Sequence, residues 1–336
     1  MTESSLKPYS ISTTGADMTL ELLSNKIDSK DIVVPEFQRY HVWPIAKASR
    51  LIESFLLGLP VPQVFLYQEP ISRELLVVDG QQRLMAVNRF INGVYKGKEF
   101  RLSGVNSEWD GLTYRDLNDA DRRRFNNTIL RATIFEQVDP KDNTSIFEVF
   151  ERLNTGGISL SAQEVRNAVI GGDFNQLAKE LNDNATWRRM INKKPIDERQ
   201  KDVEFIIRML ALLQSYTTYK KPMGKFLNTA LSDRKTLSES DKQHYERVFI
   251  DTIELIDSTI GDKAFRPQSA VNIAVAEAVF IAVQKNQANK TLVRDVKAAY
   301  RQLITNQRFI DATTQHTTDA DKVADRINIA IQTFKR

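Results

Sequence analysis

The change of hydrophobic period between residues 75 and 91 constrains the fold more than any other feature of the chain. Residues 75–78 are apolar and include two valines, which is typical of a short buried strand. Asp79 and Gly80 interrupt this run, and from residue 81 onward apolar side chains recur at helical spacing. The sequence therefore predicts a strand, a sharp turn and a helix whose first turn carries Gln81, Gln82 and Arg83.

The start of this predicted helix has the chemistry of an anion-binding corner. A helix N-terminus exposes free backbone N–H groups and carries about half a positive charge. Gly80 has no side chain that would keep a ligand away from this backbone. Arg83 adds a planar set of donors that suits a phosphate group. The pattern therefore favours a phosphate site at the turn.

A purely structural interpretation accounts for the same residues. Asp79 is suited to cap the helix, and Gln82, three residues later, would complete a capping box. On this interpretation Arg83 is a surface charge and the corner is only a well-formed helix start. Spacing alone does not decide between the two interpretations, because capping boxes are common at helix N-termini.

Two further motifs accompany the DGQQR sequence of residues 79–83. Residues 34–43 read VPEFQRYHVW, and residues 150–157 read FERLNTGG, followed by LSAQEVRN at residues 160–167. In this order the three motifs resemble those of the GmrSD N-terminal domain family. This family is a ParB/sulfiredoxin-like group found in modification-dependent restriction and phage-defence systems. The remaining helical part of the chain resembles the family's stand-alone members more loosely.

The resemblance implies both a fold and a pocket. The implied fold class is α+β, with a ParB/sulfiredoxin-like mixed α/β domain followed by an all-α domain. Asp79, Gln82 and Arg83 are the implied catalytic residues, and Asp79 is also the candidate ligand of Mg²⁺. The implied nucleotide-binding residues come from all three motifs: Gln38, Arg39, Gly80, Gln81, Asn154, Gly156, Gly157 and Arg166.

Several of these residues also have a structural explanation. Arg39 could form a surface ion pair, and Gly156 and Gly157 could simply end a helix. Ser161 and Glu164 have the spacing of a capping box, which leaves Arg166 as the better functional candidate in that helix.

The composition excludes several classes of protein. The 336 residues include no cysteine, which rules out disulfides, thiolate metal sites and sulfiredoxin chemistry. There is no GxxxxGK[ST] motif, so the chain is not a P-loop enzyme. Three widely spaced histidines cannot supply a zinc site or the His-Asn-His nuclease domain of larger relatives, so we expect a stand-alone family member without that domain.

We expect a cytoplasmic protein, because the polar N-terminus lacks the apolar core of a signal peptide and no apolar run is long enough to span a membrane. The net charge of +4 permits contact with nucleic acid but does not require it. Basic residues cluster at 122–124, 188–194 and 220–225, and such runs could contact a DNA backbone or form solvated faces.

The hydrophobic pattern divides the chain into three parts. Residues 1–17 are rich in Ser, Thr and Gly, which predicts a flexible N-terminus. Residues 18–172 mix strand and helix signals and form the predicted nucleotide-binding domain. From residue 173 to residue 336 the periodicity is helical, which predicts an all-α domain.

Together these features favour a Mg²⁺-dependent NTPase of a phage-defence or restriction system, with an NTP of unknown base bound at the DGQQR turn. One alternative is a ParB-like DNA endonuclease. A second alternative is a non-catalytic DNA-binding or adaptor protein whose state is switched by nucleotide binding. Expected partners are an NTP, DNA, a partner nuclease or defence subunit, and a second copy in a homodimer, but no membrane.

Overall fold

A five-stranded mixed sheet contains the strand that leads into the predicted corner. In the computed structural model the described residues are 10–34, 43–70, 72–138, 144–153, 161–193 and 195–336. The chain divides into two units, Met1–Leu160 and Ser161–Arg336. The second unit begins at Ser161, whereas the sequence predicts a domain boundary after residue 172. That domain boundary remains a prediction.

The sheet has the order β1-β7-β3-β4-β2, so that β4 lies between two other strands. A short separate pair is formed by β5 (Val94–Tyr95) and β6 (Lys98–Glu99). The strands of the main sheet are β1 (Ile11–Thr19), β2 (Ile32–Val33), β3 (Val64–Gln68), β4 (Leu75–Asp79) and β7 (Ile129–Gln137).

Strand direction determines which residues meet at the corner. β2 runs parallel to β4 and ends with Val33 opposite Leu76, three residues before the end of β4. β3 runs antiparallel to β4, and its register places Phe65 opposite Asp79. The chain therefore enters β3 next to the point where β4 ends. Consequently residues 63–65 and residues 79–83 come together at the C-terminal end of β4.

Helices cover this sheet in the first unit. The apolar face of α3 is buried through Leu84, Val87 and Phe90, which confirms the predicted helical period. Phe90 makes edge-to-face contacts with Phe100 and Phe125, a favourable aromatic geometry. The helices are α1 (Leu20–Asp28), α2 (Ile45–Leu56), α3 (Gln81–Asn92), α4 (Asp119–Asn127) and α5 (Thr144–Leu153).

The second unit is helical throughout its described elements, as the sequence predicts. Residues 274–283 of α12 are all buried, which makes α12 the central helix of this unit. The helices are α6 (Ala162–Val169), α7 (Asp173–Asn182), α8 (Ala185–Met190), α9 (Lys201–Ser215), α10 (Met223–Ser232), α11 (Glu239–Thr259), α12 (Ile273–Ala288), α13 (Val296–Thr305), α14 (Gln307–Thr314) and α15 (Ala320–Thr333).

The predicted fold class is therefore confirmed as a mixed α/β region followed by a helical region. The prediction of a flexible N-terminus is wrong for residues 11–17, which belong to β1. β1 pairs with β7 over nine residues, so backbone pairing orders a polar segment that carries little apolar periodicity. Among the described residues, no helix is both long and apolar enough to cross a bilayer.

Candidate functional site

Gly80 is the N-cap of α3 and adopts a left-handed backbone conformation, with φ of 90°. A Cβ atom at this position would lie 2.4 Å from Val64 Cγ1 on β3 and 3.0 Å from Arg83 Nη2. Both the torsion angle and the contact with β3 therefore require glycine. The sequence analysis explained Gly80 by the approach of a ligand. The structure gives a reason that needs no ligand, because the absent side chain makes room for Val64.

Asp79 does not cap the helix, so the structural alternative of a capping box at Asp79 and Gln82 is wrong. The N-cap residue is Gly80, which has no side chain to occupy the N–H groups of the first turn. The first helical bond runs from Leu84 N to Gly80 O at 3.0 Å. The start of α3 carries the partial positive charge of a helix N-terminus, which attracts an anion.

Asp79 instead forms an ion pair with Arg83 across the corner. Arg83 Nη2 donates to Asp79 Oδ2 and to the carbonyl oxygen of Gln63, both at 3.0 Å. The Arg83 side chain is 18% exposed and the Asp79 side chain 38%. Arg83 Nε is buried and has no hydrogen-bond partner among the described residues. Arg83 therefore ties the end of β4 to the entry of β3.

Gln82 connects the corner to the upstream motif. Its Oε1 accepts a hydrogen bond from the backbone N–H of Trp43 at 3.0 Å. The carbonyl of Trp43 accepts a hydrogen bond from the Tyr95 hydroxyl, and Lys47 Nζ lies 4.4 Å from the centre of the Trp43 ring. Burial raises the pKa of Tyr95, so its hydroxyl remains a donor at neutral pH. Trp43 is thus fixed beside the first turn of α3.

Trp43, the last residue of the upstream motif, is thus bonded to Gln82 at the corner. Val34, its first residue, follows β2, which runs parallel to β4 and ends opposite Leu76. Gln38 and Arg39, the predicted nucleotide-binding residues of this segment, lie outside the described residues. So do Asn154, Gly156 and Gly157. Gln81 is the first residue of α3 and is half-buried.

Arg166 lies in the second unit, where other side chains already surround it. It is 3% exposed, and its Nε donates to Asn228 Oδ1 at 2.8 Å. Its Nη1 donates to Glu204 Oε2 at 2.8 Å, while burial lowers the pKa of the guanidinium. The predicted capping box of Ser161 and Glu164 is confirmed. The structure therefore gives Arg166 a packing role within its own unit.

Sequence reasoning missed three participants in the corner: the carbonyl of Gln63, the side chain of Val64 and the hydroxyl of Tyr95. None of them belongs to a motif, because a backbone carbonyl or a packing contact leaves no sequence pattern. Among the described residues, no group of three or more His, Cys, Asp or Glu side chains is arranged to hold a metal ion.

The fold and the corner define a class, namely a mixed α/β domain that presents a glycine-capped helix N-terminus at a strand end. Residues 19–171 match the model of the family described as "GmrSD restriction endonuclease, N-terminal domain". This match agrees with the three motifs, which resemble the same family. The family description supports a role in a DNA-restriction or phage-defence system. No curated protein matches the chain.

Proposed function

We propose that this protein binds a nucleoside triphosphate with Mg²⁺ at the corner between β4 and α3 and hydrolyses it as part of a restriction or phage-defence system. The phosphates would lie against the first-turn N–H groups of α3. Binding would thus use the Arg83 guanidinium and a helix N-terminus together, and many proteins hold phosphate groups in this way. The match of residues 19–171 to a restriction family supports the wider role.

The observation that carries the proposal is the hydrogen bond from Trp43 N to Gln82 Oε1. It joins the upstream motif to the DGQQR motif at the N-terminus of a helix. The two bonded residues are 39 positions apart in the chain, and the meeting of their motifs at this one turn supports a shared ligand rather than two unrelated structural roles. The partly exposed charges of Asp79 and Arg83 lie at the same turn.

Arg83 has donor capacity left for a phosphate. Its two hydrogen bonds both use Nη2, and its Nη1 makes no hydrogen bond to the described residues. The guanidinium is therefore held in place on one side while the other terminal nitrogen remains available. Because the side chain is already fixed by Asp79 and Gln63, little conformational entropy would be lost when Nη1 meets a phosphate oxygen.

Asp79 fits the role of a Mg²⁺ ligand. Only its Oδ2 is engaged by Arg83, and Oδ1 makes no hydrogen bond to the described residues. Mg²⁺ is commonly held by one or two carboxylates together with phosphate oxygens, so one carboxylate here is sufficient. When bound, the ion would neutralise part of the phosphate charge. Gln82 would act as a positioning residue, since its Oε1 holds the backbone of Trp43.

The test is calorimetric titration of each NTP with Mg²⁺ into the full chain, guided by a thermal-shift screen. A ligand at about 100 times its dissociation constant should add about 2.7 kcal/mol of stability. We expect binding by the wild type and its loss in Arg83→Ala. Because Arg83 also holds Gln63, the unfolding of this variant by denaturant must be measured alongside.

Arg73→Ala is the matched control. Arg73 forms an exposed ion pair with Glu136 in the same unit, at the opposite end of β3 and β4. This variant should bind NTP like the wild type. Unchanged affinity in a folded Arg83→Ala variant would remove the proposal. Magnesium-dependent nicking of plasmid that is lost in Asp79→Ala would favour the nuclease alternative, and tight binding without turnover would favour the adaptor.

A further inference from the structure

The basic clusters that the sequence suggests for contact with DNA are largely paired with carboxylates in the structure. In the cluster at 188–194, Arg189 lies 2.5 Å from Asp257 and Lys193 lies 3.1 Å from Asp197. Further ion pairs of the three clusters are Arg188–Asp202, Arg122–Asp119, Arg124–Asp121 and Lys221–Asp319. Most of these cations therefore have a partner that a phosphate group would first have to displace.

A different group of cations in the second unit has no acidic partner among the described residues. We call it the α13 patch, and its exposed members are Lys290, Arg294, Lys297, Arg301, Lys335 and Arg336. Asp295 is the only acidic residue between positions 284 and 310, and its Oδ1 accepts a hydrogen bond from Ala298 N at the start of α13. The patch thus carries positive charge that the neighbouring side chains do not balance.

Backbone pairing brings two segments of the patch together. Leu292 and Lys335 form an antiparallel bridge. The guanidinium of Arg336 is held beside this bridge, because its Nε donates to Leu292 O at 3.0 Å. Lys290 lies two residues before Leu292 in the chain, and Arg294 lies two residues after it. Cations from both ends of the second unit's last hundred residues are not needed for this surface, since these four come from two short segments in contact.

Helix α13 continues the patch from this bridge. Lys297 and Arg301 are exposed and one helical turn apart, so their Cβ atoms lie about 5–6 Å from each other. The buried side of the helix carries Val296, Ala299, Tyr300 and Leu303. The other exposed residues of the helix are Ala298, Gln302 and Thr305. The exposed side of α13 therefore presents two cations and no carboxylate.

The uncharged surface around these cations indicates the kind of partner. No large hydrophobic side chain is exposed at residues 285–308 or 334–336. Protein partners are usually held by aromatic and apolar anchors, and single-stranded nucleic acid by aromatic faces that stack on its bases. Phosphate groups of a duplex are instead bound by Lys and Arg together with Asn, Gln and Thr. The α13 patch has the second composition.

We propose that the α13 patch binds the phosphate backbone of double-stranded DNA without reading its sequence. The choice of DNA rests on the restriction role in the proposed function, but the patch lies outside residues 19–171, which match the restriction family. Each phosphate that a cation neutralises lowers the slope of log K against log salt by about 0.9. Six such contacts would give a slope of about −5, or a loss of about 10³-fold in affinity between about 50 and 200 mM salt.

The test is fluorescence anisotropy of a labelled duplex of random sequence with the full chain, without NTP or Mg²⁺, across this range of salt. The double variant Lys297→Gln with Arg301→Gln should bind more weakly, and its slope should be smaller by about 2. Arg189→Gln with Lys193→Gln is the matched control. It removes the same charge from residues of the same spacing that are already paired, and it should keep the wild-type slope.

Urea denaturation checks that both double variants fold, and Lys290→Gln with Arg294→Gln repeats the test if the first does not. A wild type that does not bind the duplex at about 50 mM salt would overturn the proposal. So would equal losses of slope in the α13 variant and the control, tighter binding of a single strand, or competition by polyglutamate as strong as that by unlabelled duplex. Calorimetry with Mg²⁺–NTP should give wild-type affinity for the α13 variant, so a failure here leaves the nucleotide proposal standing.

Discussion

Two charged clusters, one in each unit, use the same chemical groups in opposite ways. At the corner, the Asp79–Arg83 pair is partly exposed, and Asp79 Oδ1, Arg83 Nε and Arg83 Nη1 have no partner among the described residues. In the second unit, both Glu277 and Arg326 are 0% exposed. Arg208 Nε and Arg326 Nη2 each donate to a different oxygen of Glu277 at 2.6 Å.

The difference separates a structural cluster from one that has capacity for a ligand. In the buried cluster, both oxygens of Glu277 are occupied, and the three residues join α9, α12 and α15. Removing the charge of Glu277 would leave Arg208 and Arg326 without a counter-ion in the interior, where water cannot replace the lost carboxylate. At the corner, solvent reaches both groups, so a change of charge should affect ligand binding more than folding.

The largest expected effect is that of Glu277→Gln. The change leaves Arg208 and Arg326 without a carboxylate in the interior, and we expect a loss of about 3–5 kcal/mol in the free energy of unfolding. Urea denaturation followed by circular dichroism measures it. Glu254→Gln is the matched control, because Glu254 is exposed on α11 of the same unit. A loss below about 1 kcal/mol, which is typical of an exposed ion pair, would contradict the structural role of this cluster.

The same cluster predicts a pH dependence of stability. Burial alone would raise the pKa of Glu277, but Arg208 and Arg326 outweigh it and lower the pKa below its ordinary value. A carboxyl group with a lowered pKa in the folded state contributes stability above its unfolded pKa, about 4.3 for glutamate, and loses it as the pH falls further. The stability difference between the wild type and Glu277→Gln should therefore be constant near neutrality and shrink in acid.

Denaturation at a series of pH values provides the measurement. A difference between the two proteins that stayed constant from neutral pH down to the acid limit of folding would contradict the paired, ionised state of Glu277. The control Glu254→Gln should follow the wild type across the whole range.

A smaller loss of stability is expected for Gly80→Ala, about 2–4 kcal/mol, since it adds both a strained left-handed torsion and a contact with Val64. Gly93→Ala is the matched control at the other end of α3. Gly93 has a similar φ of 74°, but a Cβ atom there meets nothing within 4 Å. The loss of stability in Gly80→Ala beyond that in Gly93→Ala measures the cost of the contact with Val64 on β3. Equal costs at the two positions would contradict that packing role.

The smallest effect on folding is expected for Asp79→Asn. The pair with Arg83 is partly exposed, so its loss should cost less than about 1 kcal/mol. Affinity for Mg²⁺–NTP should nevertheless fall at least about tenfold, or 1.4 kcal/mol. Calorimetry with and without Mg²⁺ checks this, and Asp17→Asn, which removes an exposed carboxylate of β1, should bind normally. A large stability loss with unchanged affinity would reverse the comparison between the two clusters.

The sequence predicted the central fold element closely, because its apolar periods are strong. A strand was expected at residues 75–78 and is found at Leu75–Asp79, and the helix follows directly from Gln81. β1 was missed because residues 12–17 are polar or small, although they pair with β7. Periodicity reports burial, so a largely exposed edge strand leaves almost no signal.

The candidate site was predictable in its residues but not in their contacts. The motifs identified Asp79, Gly80, Gln82 and Arg83, yet spacing could not decide whether Asp79 caps α3 or pairs with Arg83. The left-handed conformation of Gly80 decides it, because it makes Gly80 the N-cap. Val64 on a neighbouring strand lies where it would collide with a Cβ atom at residue 80, and this tertiary contact is also not contained in the local sequence.

The most direct test of the central claim is a crystal structure with a non-hydrolysable NTP and Mg²⁺. Phosphate oxygens should lie within hydrogen-bond distance of the first-turn N–H groups of α3 and of Arg83 Nη1, with the ion on Asp79 Oδ1. A nucleotide bound elsewhere, with the corner empty and Arg83 still held only by Asp79 and Gln63, would contradict the account.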